Sequence, residues 1–286
     1  VLLLVISFFI LFIHQREQRY YMSNTIRLFI GTSETEDWLA EQVYLYSIYK
    51  NLLPEQEIEI TFLRPSMFPN WDRRYWGTPF TCFRYAVPEL CNFEGRALYT
   101  DVDMINFRDI SHLFNTNLDG KPFGMVWDAQ QDNGKKGADL GKPRGWWCDS
   151  VMLFDCEKAK PYMDSIKVME EWSAKTSKSY KWEFGEKLNM PFKQESKEYI
   201  EPLDSRWNCF DGVDPSIVVP DQHMRDFWQK PQMSLDFMWQ LHLTGLSYQP
   251  WHPRYNCFAK ATHWRQDLME VWWDYENIVR QMRKNG

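Results

Sequence analysis

Apolar positions in this chain fall into short continuous runs separated by longer stretches with helical spacing, the pattern of an α/β protein. Ile26-Arg27-Leu28-Phe29-Ile30 reads as a strand and Ile58-Glu59-Ile60-Thr61-Phe62-Leu63 as the next. Between them Leu39, Val43, Tyr46 and Tyr49 share roughly one face of a helix over residues 35–50. Gly31-Thr32-Ser33 makes the turn, and Ser33 followed three residues later by Glu36 fits a capping box. Strand, helix and strand in that order predict parallel pairing, and open α/β sheets bind ligands outside the carboxyl ends of such strands. Farther on, Phe80 to Leu90 reads as an aromatic helix carrying Arg84, Arg96-Ala97-Leu98-Tyr99 as a strand, and the run ending Val151-Met152-Leu153-Phe154 as another. The interval from Asn117 to Trp147, rich in Gly, Lys and Asp, reads as one long loop whose Lys135 and Lys136 are suited to closing over an anion. Leu268, Val271, Trp272, Tyr275, Ile278, Val279 and Met282 recur at helical spacing and predict an amphipathic helix that packs on the domain. No internal repeat interrupts this order.

Residues 1–13 are uncharged and almost wholly apolar, yet shorter than the roughly 20 residues of a spanning helix. Met22-Ser23-Asn24-Thr25 leads directly into the first strand. Residues 1–21 are therefore read either as sequence upstream of the true start or as a truncated membrane anchor, and residues 22–286 as a single catalytic domain. With 286 residues and 44% hydrophobic content the chain can bury a large core. A net charge of −6 supplies no basic face for nucleic acid, so that partner class is excluded. Six cysteines, Cys82, Cys91, Cys148, Cys156, Cys209 and Cys257, show no metal-type spacing and no compact disulfide framework. They read as buried thiols of a reducing compartment, so the expected location is cytoplasmic, with anchoring through the N-terminal segment as the alternative. Fifteen tryptophans offer faces for sugar rings, although most are expected in the core.

Chemistry concentrates at Tyr99-Thr100-Asp101-Val102-Asp103. Two carboxylates flanking one residue at the end of an apolar strand aim two anionic oxygens at one point. Such oxygens suit Mg²⁺ or Mn²⁺, cations that keep positions open for substrate phosphates. Asp-x-Asp also occurs by chance on solvated turns, so its surroundings decide the reading. Far downstream lie Leu241-His242-Leu243-Thr244-Gly245 and then Pro250-Trp251.

An arginine-bearing aromatic segment, a strand ending in Asp-x-Asp, and a distant His-x-x-Gly followed by Pro-Trp together resemble nucleotide-sugar glycosyltransferases of GT-A fold. The likeness is greatest to family 8, which includes glycogenin and bacterial and viral galactosyl- and glucosyltransferases, and it extends over most of Ile26 to Trp251. It implies a Rossmann-like mixed sheet flanked by helices. Asp101, Asp103 and His242 would hold a divalent metal, Mn²⁺ or else Mg²⁺, and Mn²⁺ accepts carboxylate and imidazole together more readily. The donor, a UDP-hexose in this reading, would meet Gly31, Thr32, Arg84, Asp101, Val102, Gly245 and Gln249. Asp149 is the candidate catalytic residue, with Ser150 and Trp147 beside the transferred sugar. The acceptor would be a glycan, lipid or protein hydroxyl, and the outcome retention of anomeric configuration.

The chain departs from the family pattern in three places. Cys148-Asp149-Ser150 stands where Asn-x-Gly is usual, Asp221-Gln222 follows rather than precedes Arg206-Trp207-Asn208, and Gln249 replaces a phosphate-binding lysine. Phosphate charge is then left to Arg254 or Lys260. Two alternatives follow from the same residues: an Asp-x-Asp phosphatase with Asp101 as nucleophile and Asp103 as acid/base, and a noncatalytic carbohydrate- or nucleotide-binding protein of the same fold.

Overall fold

A computed structural model describes residues 25–35, 37–71, 73, 78–127, 147–163, 166, 170, 198–211, 234–245, 248–251 and 263–285. Strand β1 (Thr25–Gly31) runs into the turn at Thr32 and Ser33, helix α1 (Trp38–Asn51) follows, and β2 (Glu57–Leu63) returns beside β1 in parallel. Ser33 and Asp37 close the helix entry reciprocally: Asp37 N–H donates to Ser33 Oγ and Ser33 N–H to Asp37 Oδ2, both at 3.1 Å. The reciprocal pair was expected of Ser33 with Glu36, which lies outside the described residues. The helix begins at Trp38 rather than 35, and its buried face is Leu39, Ala40, Val43, Tyr44, Ser47 and Ile48. Tyr49, expected on that face, is 56% exposed, because the burying stripe is one residue out of phase with Tyr46 and Tyr49.

Six strands form the main sheet in the order β2-β1-β3-β6-β5-β7, with β3 (Arg96–Asp101), β5 (Phe123–Trp127), β6 (Trp147–Asp155) and β7 (Ile200–Leu203). The three strands at the β2 side are mutually parallel, whereas β6 runs antiparallel to both β3 and β5. The expected mixed sheet is thus present. β2 lies at the edge, with Glu57 and Glu59 exposed along it, charges that discourage pairing with another chain. A second sheet, β4-β9-β8, is built from β4 (Met104–Asn106), β8 (Cys209–Phe210) and β9 (Gln240–His242).

Three further expectations are corrected. The interval Asn117–Trp147 is not one loop, since all five residues of β5 are buried in the sheet; Gly124 and the neighbouring lysine hide a short strand that a two-residue alternation cannot reveal when both faces are covered. Lys135 and Lys136 lie outside the described residues. The segment before β3 is a 3₁₀ turn, Thr81–Ala86, followed by one α turn, Val87–Leu90, rather than a helix throughout. Trp147, a candidate sugar platform, is buried edge-on against Trp127, ring centroids 4.9 Å apart. The expected C-terminal helix is present as α2 (Gln266–Asn285), burying Leu268, Met269, Trp272 and Tyr275, while Met282 projects outward.

Cys82, Cys91, Cys148, Cys156 and Cys209 are buried free thiols, as expected; Cys257 lies outside the described residues. No helix among the described residues is long and apolar enough to cross a membrane, and residues 1–21 are not among them.

Candidate metal and donor site

Asp101 is the last residue of β3, Asp103 sits in the turn before β4, and β4 pairs antiparallel with β9 so that Met104 faces His242. Leu243 N–H donates to Asp103 O at 2.8 Å, tying that turn to the far end of β9. One potential ligand atom from each of Asp101, Asp103 and His242 then lies within 4.8 Å of the other two, with all three residues buried. The arrangement needs both sheets, because the aspartates come from the end of central strand β3 and the turn after it, and the imidazole from the second sheet.

Each member is held by neighbours. Arg84 Nη2 donates to both Asp101 oxygens, at 2.9 and 3.1 Å, and Tyr99 Oη donates to Oδ1. Burial pushes the Asp101 carboxyl up to about 6, against the pull of Arg84, and the Asp103 charge adds to the rise. Asp103 Oδ2 accepts from Gln249 Nε2 at 2.9 Å, while Oδ1 is buried, has no hydrogen-bond partner, and faces His242 Nε2 at 3.2 Å. On the other side of the ring, His242 Nδ1 meets Asn208 Oδ1 at 3.0 Å, and Phe210 packs edge-on at 5.3 Å between centroids. Burial opposes the imidazolium, but Asp103, Asp101 and Asp211 outweigh it and hold His242 above its ordinary value.

Asp149 lies on β6 where pairing with β5 slips: Met125 faces Met152, but Val126 faces Cys148. The intervening residues bulge, a device that re-aims a side chain beside a site. Asp149 accordingly reaches Arg84 Nη1 with one oxygen and accepts from Tyr85 Oη with the other at 3.0 Å, and its side chain remains 37% exposed. Arg84, itself 3% exposed in its side chain, joins the metal-type carboxylate Asp101 to Asp149. Ser150 points elsewhere, accepting from Asn208 Nδ2 at 2.9 Å.

The remaining predicted donor residues are placed as follows. The Thr32 hydroxyl is buried and donates to Glu41 Oε1 at 2.8 Å, and Thr32 N–H donates to Leu63 O. Val102 N–H donates to Gly31 O, and its side chain is fully buried. A Cβ on Gly31 would fall 2.2 Å from Tyr99 Oη, so the missing side chain at Gly31 is what leaves room for the Tyr99–Asp101 bond. Gly245 O accepts from Tyr248 N–H in the turn after β9. Gln249 also donates to Leu243 O, so both contacts of its amide nitrogen are internal to the site. Trp251 Nε1 donates to Asp37 Oδ1, and its ring stacks on Trp272 of α2. Lys260, Arg254, Asp221 and Gln222 lie outside the described residues.

Sequence reasoning missed Tyr99, Asn208 and Asp211. Tyr99 precedes Asp101 by two residues on one strand and so shares its face, a signal that was available. Asn208 and Asp211 reach the site only through the pairing of β8 with β9; Asp211 Oδ1 accepts from Thr244 N–H and Oγ, and Oδ2 pairs with His263.

A mixed sheet with carboxylates and a histidine converging at the end of its third strand defines a glycosyltransferase of GT-A architecture. The chain belongs to glycosyl transferase family 8, whose profile matches residues 25–253. Comparison with curated protein sequences gives no match. Among solved structures, the glycosyltransferase GlyE of Streptococcus pneumoniae TIGR4 superposes with a TM-score of 0.53 at 18% identity, covering 91% of this chain and 64% of GlyE. The bifunctional glycosyltransferase WbbM gives 0.51 at 14% identity, over 87% of this chain and 51% of WbbM, so the chain spans about half of that protein. The galactosyltransferase LgtC, solved with donor and acceptor sugar analogues, gives 0.50 at 16% identity over 87% of this chain and 96% of LgtC. At these identities the superpositions establish the fold. Family membership makes the protein an enzyme, a glycosyltransferase, and sets aside the Asp-x-Asp phosphatase; Asp101 as nucleophile would in any case have to escape Arg84 and Tyr99.

Enzymes of this architecture generally use a nucleotide-sugar donor and a divalent metal. The residues fit such an ion, since two buried carboxylates and an imidazole each bring one ligand atom within 4.8 Å of the others, and oxygen with nitrogen ligands is the donor set of a borderline-hard cation.

Proposed function

We propose that the protein transfers a hexose from a nucleoside diphosphate sugar, a UDP-hexose, to a hydroxyl of a glycan, lipid or protein, with Mn²⁺ or Mg²⁺ required. The observation that carries this reading is the convergence of buried Asp101, Asp103 and His242, one ligand atom of each within 4.8 Å of the others. Asp103, His242 and Asp101 would hold the metal, which when bound acts as a Lewis acid and template for the donor diphosphate. Arg84 keeps Asp101 and Asp149 from repelling one another and fixes both carboxylates. Asp149, open to solvent while anchored by Arg84 and Tyr85, is the proposed catalytic carboxylate beside the sugar.

Gly31, Thr32 and Val102 form the floor of the donor cleft rather than its hydrogen-bonding wall, because the Thr32 and Val102 amides and the Thr32 hydroxyl are already engaged. Gly245 belongs to the turn that carries Gln249 inward, and Gln249 orients Asp103 in place of the phosphate contact expected of a lysine. Retention by front-side attack, with the leaving phosphate oxygen assisting deprotonation of the acceptor, accords with a site whose carboxylates are all held by cations or hydrogen bonds. Residues 22–286 are assigned to the catalytic domain.

Hydrolysis of a panel of nucleotide sugars tests the proposal. Turnover of one donor with Mn²⁺, abolished by EDTA and by Asp103→Ala, is the expected result. Absence of any turnover or metal-dependent nucleotide binding would sink it.

A further inference from the structure

We infer that Asn208 is a positioning residue that selects the metal-ready tautomer of His242, with Ser150 satisfying the other end of the Asn208 amide. The inference rests on the metal reading of Asp101, Asp103 and His242. Asn208 is fully buried, immediately after the 3₁₀ turn Ser205–Trp207 and immediately before β8. Its two amide ends do different work. Nδ2, a donor only, reaches Ser150 Oγ at 2.9 Å, and Oδ1, an acceptor only, faces His242 Nδ1 at 3.0 Å.

A neutral imidazole carries one proton, so a proton placed on Nδ1 by the Asn208 acceptor leaves the lone pair on Nε2. Nε2 is the nitrogen that faces Asp103 Oδ1. Were the amide reversed, Nδ2 would donate to Nδ1 and drive the proton to Nε2, where it would bond Asp103 and close the gap in which a cation fits. Ser150 therefore matters because it gives the buried Nδ2 an acceptor while Oδ1 serves His242. Outer partners that fix a ligand histidine in this way affect metal affinity by about 10–100-fold.

The test uses the full chain and Mn²⁺ alone, titrated by electron paramagnetic resonance, together with thermal melts and ¹⁵N NMR of the histidine rings in metal-free protein at a pH high enough for the His242 ring to be neutral. Asn208→Leu is expected to weaken Mn²⁺ binding about 10–100-fold and to move the His242 proton from Nδ1 to Nε2. Asn208→Asp keeps the acceptor, accepts a hydrogen bond from the Ser150 hydroxyl, and is expected to restore both the affinity and the Nδ1–H tautomer. If the leucine variant does not fold, Ser150→Ala carries the test, with a severalfold weaker Mn²⁺ affinity and a mixture of tautomers expected. Wild-type affinity in the leucine or alanine variant while Asp103→Ala abolishes binding overturns the inference and spares the metal site. An Nε2–H tautomer in the wild-type protein also overturns it. Failure of wild-type protein to bind Mn²⁺, with Asp103→Ala indistinguishable from it, overturns the metal reading and the inference together.

Discussion

Replacing Arg84 with methionine keeps most of the side chain's volume and removes the cation that joins Asp101 to Asp149. The Arg84 side chain is 3% exposed and that of Asp101 10%, so this pair is only weakly screened, whereas Asp149, 37% exposed, contributes less. At about 4 Å and an effective dielectric near 20 the attraction to Asp101 is about 4 kcal/mol. Removing one partner of a buried pair costs about 3–5 kcal/mol. A loss of about 3 kcal/mol lowers the melting temperature by roughly 6–12 °C. Part of that cost is relieved by protonation: burial already raises the Asp101 carboxyl to about 6 with Arg84 in place, and removing the guanidinium raises it further.

The consequence is a crossing pH profile for Mn²⁺. Near neutrality the variant must release a proton before binding, so its affinity falls roughly tenfold, and more at lower pH. Near pH 9 Asp101 is ionised in both proteins, and the absent guanidinium no longer repels the ion, so Arg84→Met should bind at least as tightly as wild type. Mn²⁺ titrations at pH 6, 7 and 9 with parallel melts measure this. An equal loss at every pH would refute the reasoning, because it would assign Arg84 a packing role without electrostatic coupling to Asp101.

Three other outcomes are expected. In wild-type protein Mn²⁺ affinity should fall as the pH drops through about 6, where Asp101 takes up its proton; because this carboxyl is raised from 3.8, its contribution to stability is fully present below pH 3.8 and is lost as pH rises toward 6, by roughly 3 kcal/mol, which melts of metal-free protein from pH 4 to 7 would report. Gly31→Ala places a methyl in the position of Tyr99 Oη and should destabilise by at least about 1–3 kcal/mol, with Tyr99 displaced from Asp101; a wild-type melt would show that the strand yields freely. Gln249→Ala strips a donor from both Asp103 Oδ2 and Leu243 O and should cost about 1–3 kcal/mol in a denaturant titration, and an unchanged midpoint would indicate that water replaces the amide.

The three metal-type residues were legible because two of them are adjacent on one strand end and the third lies in a motif of its own. Of their supporting partners Arg84 was legible from its place before the Asp-x-Asp strand, while Asn208 and the contacts that hold Gln249 and Asp149 were not. Asn208 and Gln249 act across sheet pairings that local periodicity does not encode, and Asp149 reaches Arg84 through a bulge that exists only in the β5–β6 register. The hidden strand β5 shows a related limit, since a strand covered on both faces has no polar alternation to mark it. For α1 the helix was correctly inferred and the face misplaced by one position, because tyrosine is amphipathic and Tyr49 was counted as apolar although it faces solvent.

The origin of the metal-type residues in two sheets has a bearing on how the enzyme comes into being during synthesis. Asp101 and Asp103 leave the ribosome long before His242, and β4 has no partner until β9 has been made. Contacts so distant in sequence form late in folding. A nascent chain halted before residue 242 would carry Asp-x-Asp without His242, so on the proposed function the metal site would be complete only once the second sheet is.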